Sequence, residues 1–121
     1  MTKAKKSLGQ HFLNNPHTAE RIANAISPEA KSIIEVGPGP GILTDHILRR
    51  EGNLTFIEKD DRFARELEAA TREKENVHVI HDDFLKVDLA SVSSDPNTAL
   101  VGNFPYNISS QIVFRMLEYR H

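Results

Sequence analysis

The chain alternates between helical and extended apolar spacing, and that alternation predicts its elements. Asn15 followed by Pro16 is a helix-start signal: asparagine caps free N–H groups and proline fits the first helical position. Ile22, Ala23 and Ile26 then form an apolar stripe, which Ser27-Pro28 ends because the residue before a proline disfavours helical backbone. Ser32–Val36 reads as a first strand and runs into glycine-rich residues 37–41. Ile42, Leu43, Ile47 and Leu48 recur at helical spacing, which predicts a helix to about Arg50. Gly52-Asn53 signals a turn, and residues 54–58 read as a second strand. Asp60 or Asp61 caps a helix predicted to reach about Arg72, with Phe63 and Leu67 on its inner face. Val77–His81 is predicted as a third strand, residues 91–97 as a polar loop, and Thr98–Gly102 as a fourth strand. Ile112, Val113, Met116 and Leu117 predict a last amphipathic helix, while residues 1–14 show no regular pattern.

Strands alternating with helices define an α/β fold, a Rossmann-like and mostly parallel sheet covered on both faces. No internal repeat and no low-complexity segment interrupts it. Only four strands are predicted, and the last helix runs to His121 without a stop signal. Open sheets of this class usually carry more strands. Residues 1–121 are therefore expected to be the N-terminal part of one truncated domain.

Composition narrows the picture only slightly. With 39% hydrophobic and 26% charged residues, the chain is neither disordered nor fibrous in type. The absence of cysteine excludes disulfides and thiolate metal sites. The six histidines are scattered without zinc-like spacing, so no metal is expected. Lys3, Lys5 and Lys6 precede no apolar segment of the kind a secretory signal needs, and no apolar run is long enough to span a bilayer. The expectation is a cytoplasmic protein with no membrane partner. Fifteen basic against seventeen acidic residues give a net charge of −2, so charge alone does not suggest a nucleic acid. The Lys3, Lys5 and Lys6 cluster suits either phosphate tracking or simple solubility.

Four features carry chemistry. The first is EVGPGPG at residues 35–41, directly between the first strand and its helix. Glycines there admit positive φ and allow close backbone approach to a ligand, and the helix start behind them offers free N–H groups. Dinucleotide sites favour G-x-G-x-x-G, whereas this acid-led G-x-G-x-G is the pattern of S-adenosylmethionine (SAM) dependent methyltransferases. A tight strand-to-helix turn is the plain alternative. The second is Glu58, which ends the second strand 17 residues after Gly41. A carboxylate there accepts from ribose hydroxyls in doubly wound folds; otherwise it is a solvated charge beside Lys59 and Asp60. Third, Asp82-Asp83 closes the third strand, fit either to accept from an adenine amine or to cap a helix.

The fourth is Asn103-Phe104-Pro105-Tyr106, after the fourth strand. The adenine N6 lone pair is delocalised into the ring, so the amine is a poor nucleophile. The Asn103 side-chain carbonyl and the backbone carbonyl of Phe104 or Pro105 could hold its two N–H bonds and favour a pyramidal nitrogen. Such acceptors stabilise charge that develops only in the transition state. Tyr106 could stack on a base drawn out of its helix. A turn would use the same residue types.

These residues together resemble the ribosomal RNA adenine dimethyltransferase family, the small-subunit dimethyladenosine transferases linked to kasugamycin sensitivity. The resemblance covers about residues 5–120 and rests on KSLGQHFL at 6–13, EVGPGPG at 35–41, FIEKD at 56–60, DDF at 82–84 and GNFPYNIS at 102–109. It implies transfer of two methyl groups from SAM, with S-adenosylhomocysteine (SAH) as product, to N6 of each of two adjacent adenosines near the small-subunit rRNA 3′ end. It also implies a pre-30S partner, a role in ribosome biogenesis and a monomeric full-length protein. By position it sets His11 and Leu13 against the cofactor, Gly37 and Gly39 along its methionine side, Glu58 on the ribose and Asp83 on the adenine. Asn103 falls at the methyl-transfer point, touching the cofactor as well, with Pro105 and Tyr106 on the target base. His11 departs from the Asn of many members, and Phe104 from the usual Leu or Ile.

Members also have further strands and a helical C-terminal domain that grips rRNA. Without them the fragment is expected to be inactive and to expose a sheet edge open to self-association. The nearest alternative is a 23S rRNA adenine methyltransferase of the macrolide-resistance type, with the same tetrapeptide. A non-enzymatic nucleic-acid-binding factor on this fold and an NAD-linked oxidoreductase are the others.

Overall fold

The computed structural model describes residues 16–102 and the backbone of residues 115–117. The elements are α1 (Pro16–Ala25), β1 (Ser32–Val36), α2 (Ile42–Ile47), β2 (Asn53–Glu58), α3 (Asp61–Ala70) and β3 (Val77–His81). A 3₁₀ turn (Phe84–Lys86), α4 (Leu89–Val92), β4 (Thr98–Gly102) and β5 (Arg115–Leu117) follow. The sheet order is β3-β2-β1-β4-β5, with β1 to β4 mutually parallel and β5 antiparallel to β4.

Burial explains why these segments are strands. Every residue of β1 and β4 is buried, as befits central parallel strands covered on both faces. Alternate residues then separate into two cores. Ile33, Leu54, Phe56, Ala99 and Val101 face α1 and α2, packing with Ala19, Ala23, Ile26, Leu43 and Ile47. Ile34, Val36, Ile57 and Leu100 face the other way and are covered by Ile80, Phe84, Val87, Leu89 and Val92.

The expected elements hold with local corrections. The helix foreseen to about Arg50 stops at Ile47, and the one foreseen to about Arg72 stops at Ala70. Asp60, not Asp61, caps α3, accepting from the Arg62 and Phe63 amides. Residues 91 and 92 belong to α4 rather than to a loop, because Asp88 caps the segment and Leu89 and Val92 pack on the second core.

The larger correction concerns the last helix. Ile112 and Val113 lie outside the described residues, but Met116 and Leu117 fall in β5, with Thr98 opposite Leu117 and Leu100 opposite Arg115. A short apolar run cannot be told from a strand by spacing alone, and β4 offers unpaired N–H and C=O groups that another strand can satisfy. That pairing satisfies β4 along Thr98–Leu100.

Candidate functional site

Parallel register brings the sequence-derived positions to one rim. Val36 lies opposite both Ile57 and Gly102, and Glu58 lies opposite His81. The glycine loop, Glu58, Asp82-Asp83 and the chain leaving β4 therefore share the carboxyl edge. The strand order reverses between β1 and β4, and open α/β sheets bind ligands beside that reversal. His11, Leu13, Asn103, Pro105 and Tyr106 lie outside the described residues. Gly102, the residue before the tetrapeptide, ends β4 beside Val36.

The loop has a defined shape. Gly37, Gly39 and Gly41 have φ of 65°, 53° and 91°, backbone that residues with a Cβ rarely adopt. The Gly37 amide donates to the Ile57 carbonyl at 2.9 Å and the Gly41 amide to the Pro38 carbonyl at 3.0 Å. Pro38 and Pro40 have no N–H to donate.

The Gly39 amide donates instead to Glu58 Oε1 at 2.7 Å, and Glu58 Oε2 accepts from the Asp60 amide at 2.9 Å. Glu58 is only 6% exposed. It is no solvated charge. Two backbone donors aim its carboxylate, and each oxygen keeps a lone pair for a further donor.

Asp83 takes the capping role. Its Oδ1 accepts from the Leu85 amide at 3.0 Å and so caps the 3₁₀ turn. Its Oδ2 faces the Lys59 ammonium at 3.9 Å. Asp82 locks the corner: its amide donates to the Glu58 carbonyl at 3.1 Å, and its Oδ1 accepts from the Asp83 amide at 2.7 Å.

Sequence reasoning missed the partner of Glu35. This side chain is buried and accepts from the Thr44 hydroxyl at 2.6 Å. Burial pushes the Glu35 carboxyl up to about 8 from its ordinary 4.5; the Thr44 bond opposes the rise, and the Glu58 and Asp45 carboxylates add to it. A buried acid after an apolar strand hints at such a partner, but only the fold of the loop brings Thr44 to it.

The raised value links Glu35 to stability. Below pH 4.5 the carboxyl is neutral whether the chain is folded or unfolded, and its contribution is fully present. Between 4.5 and about 8 the unfolded chain ionises first, so stability falls as pH rises. Glu35→Gln is expected to remove this component of the slope. Urea denaturation at pH 5 and pH 8 should show the variant gaining on the parent by on the order of a few kcal/mol at the higher pH. Equal differences at both pH values would contradict it.

A cavity of about 1170 Å³ opens at the opposite end of the strands, lined by Lys31, His46, Arg49, Arg50, Glu29 and Asn97 among others. Its Arg50 is engaged in capping the end of α1, donating to the Ser27 carbonyl at 2.6 Å. Neither the glycine loop nor the carboxylates at the strand ends line this cavity, so the candidate site is the carboxyl rim.

Parallel strands β1 to β4, with a glycine loop after β1, a carboxylate ending β2 and a pair just after β3, have the architecture of a doubly wound α/β fold. Its family is narrower. Residues 1–121 match the ribosomal RNA adenine dimethylase family, and the chain belongs to it. It is 44% identical over 119 residues to the ribosomal RNA small subunit methyltransferase A of Flavobacterium johnsoniae, spanning 98% of this chain and 45% of that protein. The chain thus spans about half the length of the curated relatives it matches.

Among solved structures, the 23S rRNA methyltransferase ErmE is 33% identical with a TM-score of 0.66, covering 82% of this chain and 39% of that one. A dimethyladenosine transferase from Plasmodium falciparum is 26% identical with a TM-score of 0.61, covering 79% and 34%. The N-terminal domain of EvdMO1 with SAH bound shares the fold, at 23% identity and a TM-score of 0.53 over 66% of this chain and 35% of that one.

Proposed function

We propose that this chain forms the SAM-binding part of an rRNA adenine-N6,N6 dimethyltransferase acting on two adjacent adenosines near the 3′ end of small-subunit rRNA. One observation carries the reading: the glycine loop, Glu58 and Asp83 share a rim, with Glu58 already aimed by the Gly39 and Asp60 amides. In this reading Gly37 and Gly39 line the methionine side, Glu58 accepts from the ribose hydroxyls and Asp83 Oδ2 accepts from the adenine amine. His11 and Leu13 are the further residues that the family resemblance assigns to the cofactor. SAM supplies an electrophilic methyl group on a sulfonium.

Asn103 sits next to Gly102 in the chain, and Gly102 ends β4 at the same rim. Its side-chain carbonyl, with a backbone carbonyl of Phe104 or Pro105, accepts from the target N6. With the N6 lone pair so exposed, a SAM bound at this rim would supply its methyl group to it and be released as SAH, and the proton of the methylated amine would pass to solvent. Pro105 and Tyr106 hold the base. Positioning and acceptor placement supply most of the rate enhancement.

Likeness to ErmE favours one second reading, a 23S rRNA substrate. The higher identity to a small-subunit enzyme supports the first. A chain extended to its relatives' length, offered pre-30S particles and naked 23S rRNA with labelled SAM, decides between them. Label is expected in the small-subunit rRNA at two methyls per adenosine. Label in 23S rRNA alone would transfer the assignment to the second reading.

A further inference from the structure

We propose that Thr44 and Glu35 form a buried clasp that holds the glycine loop in its cofactor-binding shape, which makes Thr44 a positioning residue. The proposal rests on the reading of that loop as a SAM site.

A loop with three glycines at positive φ has much conformational entropy to lose. Backbone bonds fix its interior: Gly37 to Ile57 and Gly41 to Pro38. The Glu58 carboxylate holds Gly39 from outside. None of these ties the strand end to the helix start, and the Thr44–Glu35 bond does so across nine positions.

Both clasp partners are buried, at 2% and 1% exposure, so water does not compete for the 2.6 Å bond. A helical threonine usually returns its hydroxyl to a carbonyl one turn back; this one reaches a different element. Burying a carboxyl beneath the loop costs stability that an apolar residue would not. What the pair provides is a fixed geometry. Glu35 also lies close enough to Glu58 for the two carboxyls to interact electrostatically, so the clasp adjoins the group read as the ribose acceptor.

Thr44→Val keeps the side-chain shape and deletes the hydroxyl, whereas Thr44→Ser keeps the hydroxyl. SAH affinity by calorimetry and thermal unfolding are measured on both variants and the parent. Thr44→Val is expected to weaken SAH binding about tenfold or more, equivalent to about 1.4 kcal/mol, and Thr44→Ser to stay within about twofold of the parent. If Thr44→Val does not fold, it is introduced into Glu35→Gln, whose amide oxygen still accepts and which carries no ionisation penalty. The same loss is expected relative to Glu35→Gln alone. A folded Thr44→Val protein that binds SAH like its parent overturns the clasp, whatever its melting temperature. A parent that binds no SAH overturns the cofactor reading instead.

Discussion

A Gly102→Val protein is expected to lose at least ~3 kcal/mol of folding stability, enough to unfold much of a marginally stable domain. Gly102 has φ of 133°, a backbone region that residues with a Cβ avoid. A Cβ there would also press on the Val36 carbonyl oxygen and lie 2.7 Å from the Val36 nitrogen. Neither neighbour can yield, because Val36 is the last residue of β1 and Gly102 is its partner at the end of β4. The strain thus falls at the base of the glycine loop and at the start of the tetrapeptide. Urea denaturation of the variant and the parent measures it. A change within about 0.5 kcal/mol would mean that β4 leaves the sheet by another path.

Asn103→Ala, in a chain of its relatives' length, is expected to lower methyl transfer by roughly 10²–10³-fold, the usual effect of deleting one preorganised polar group from a transition state. SAH affinity should change by no more than about threefold, because Asn103 is assigned to the target amine and the nucleoside end of the cofactor to Glu58 and Asp83. Single-turnover transfer to pre-30S particles reads the first quantity and calorimetry the second. Equal losses in both would make Asn103 a cofactor-binding residue. Unchanged turnover would remove it from the chemistry.

Much of this site is legible in sequence because its parts obey local rules. Gly37, Gly39 and Gly41 stand where backbone must turn through positive φ, and Glu58 and Asp83 stand at strand ends set by apolar spacing. Parallel pairing then carries such residues to one edge without further information.

Less local features are not legible. Thr44 looks like an ordinary residue in a helical stripe, and nothing near it in sequence announces Glu35 as its partner. Gly102 reads as a strand terminus, yet its need for glycine comes from Val36, 66 positions earlier. Met116 and Leu117 fit helical spacing but pair along the edge of β4, because a free edge outweighs a weak local preference. Asp83 caps the 3₁₀ turn through one oxygen, and its other oxygen faces Lys59, a neighbour that spacing did not announce.

Calorimetry of SAH and, separately, of NAD, on the chain with and without Glu58→Ala, probes the central claim most directly. One SAH is predicted to bind per parent chain, with no heat from NAD, and the Glu58→Ala substitution should weaken SAH binding by about tenfold or more through lost ribose acceptors. Binding of NAD in place of SAH, or SAH binding indifferent to Glu58, would contradict the account.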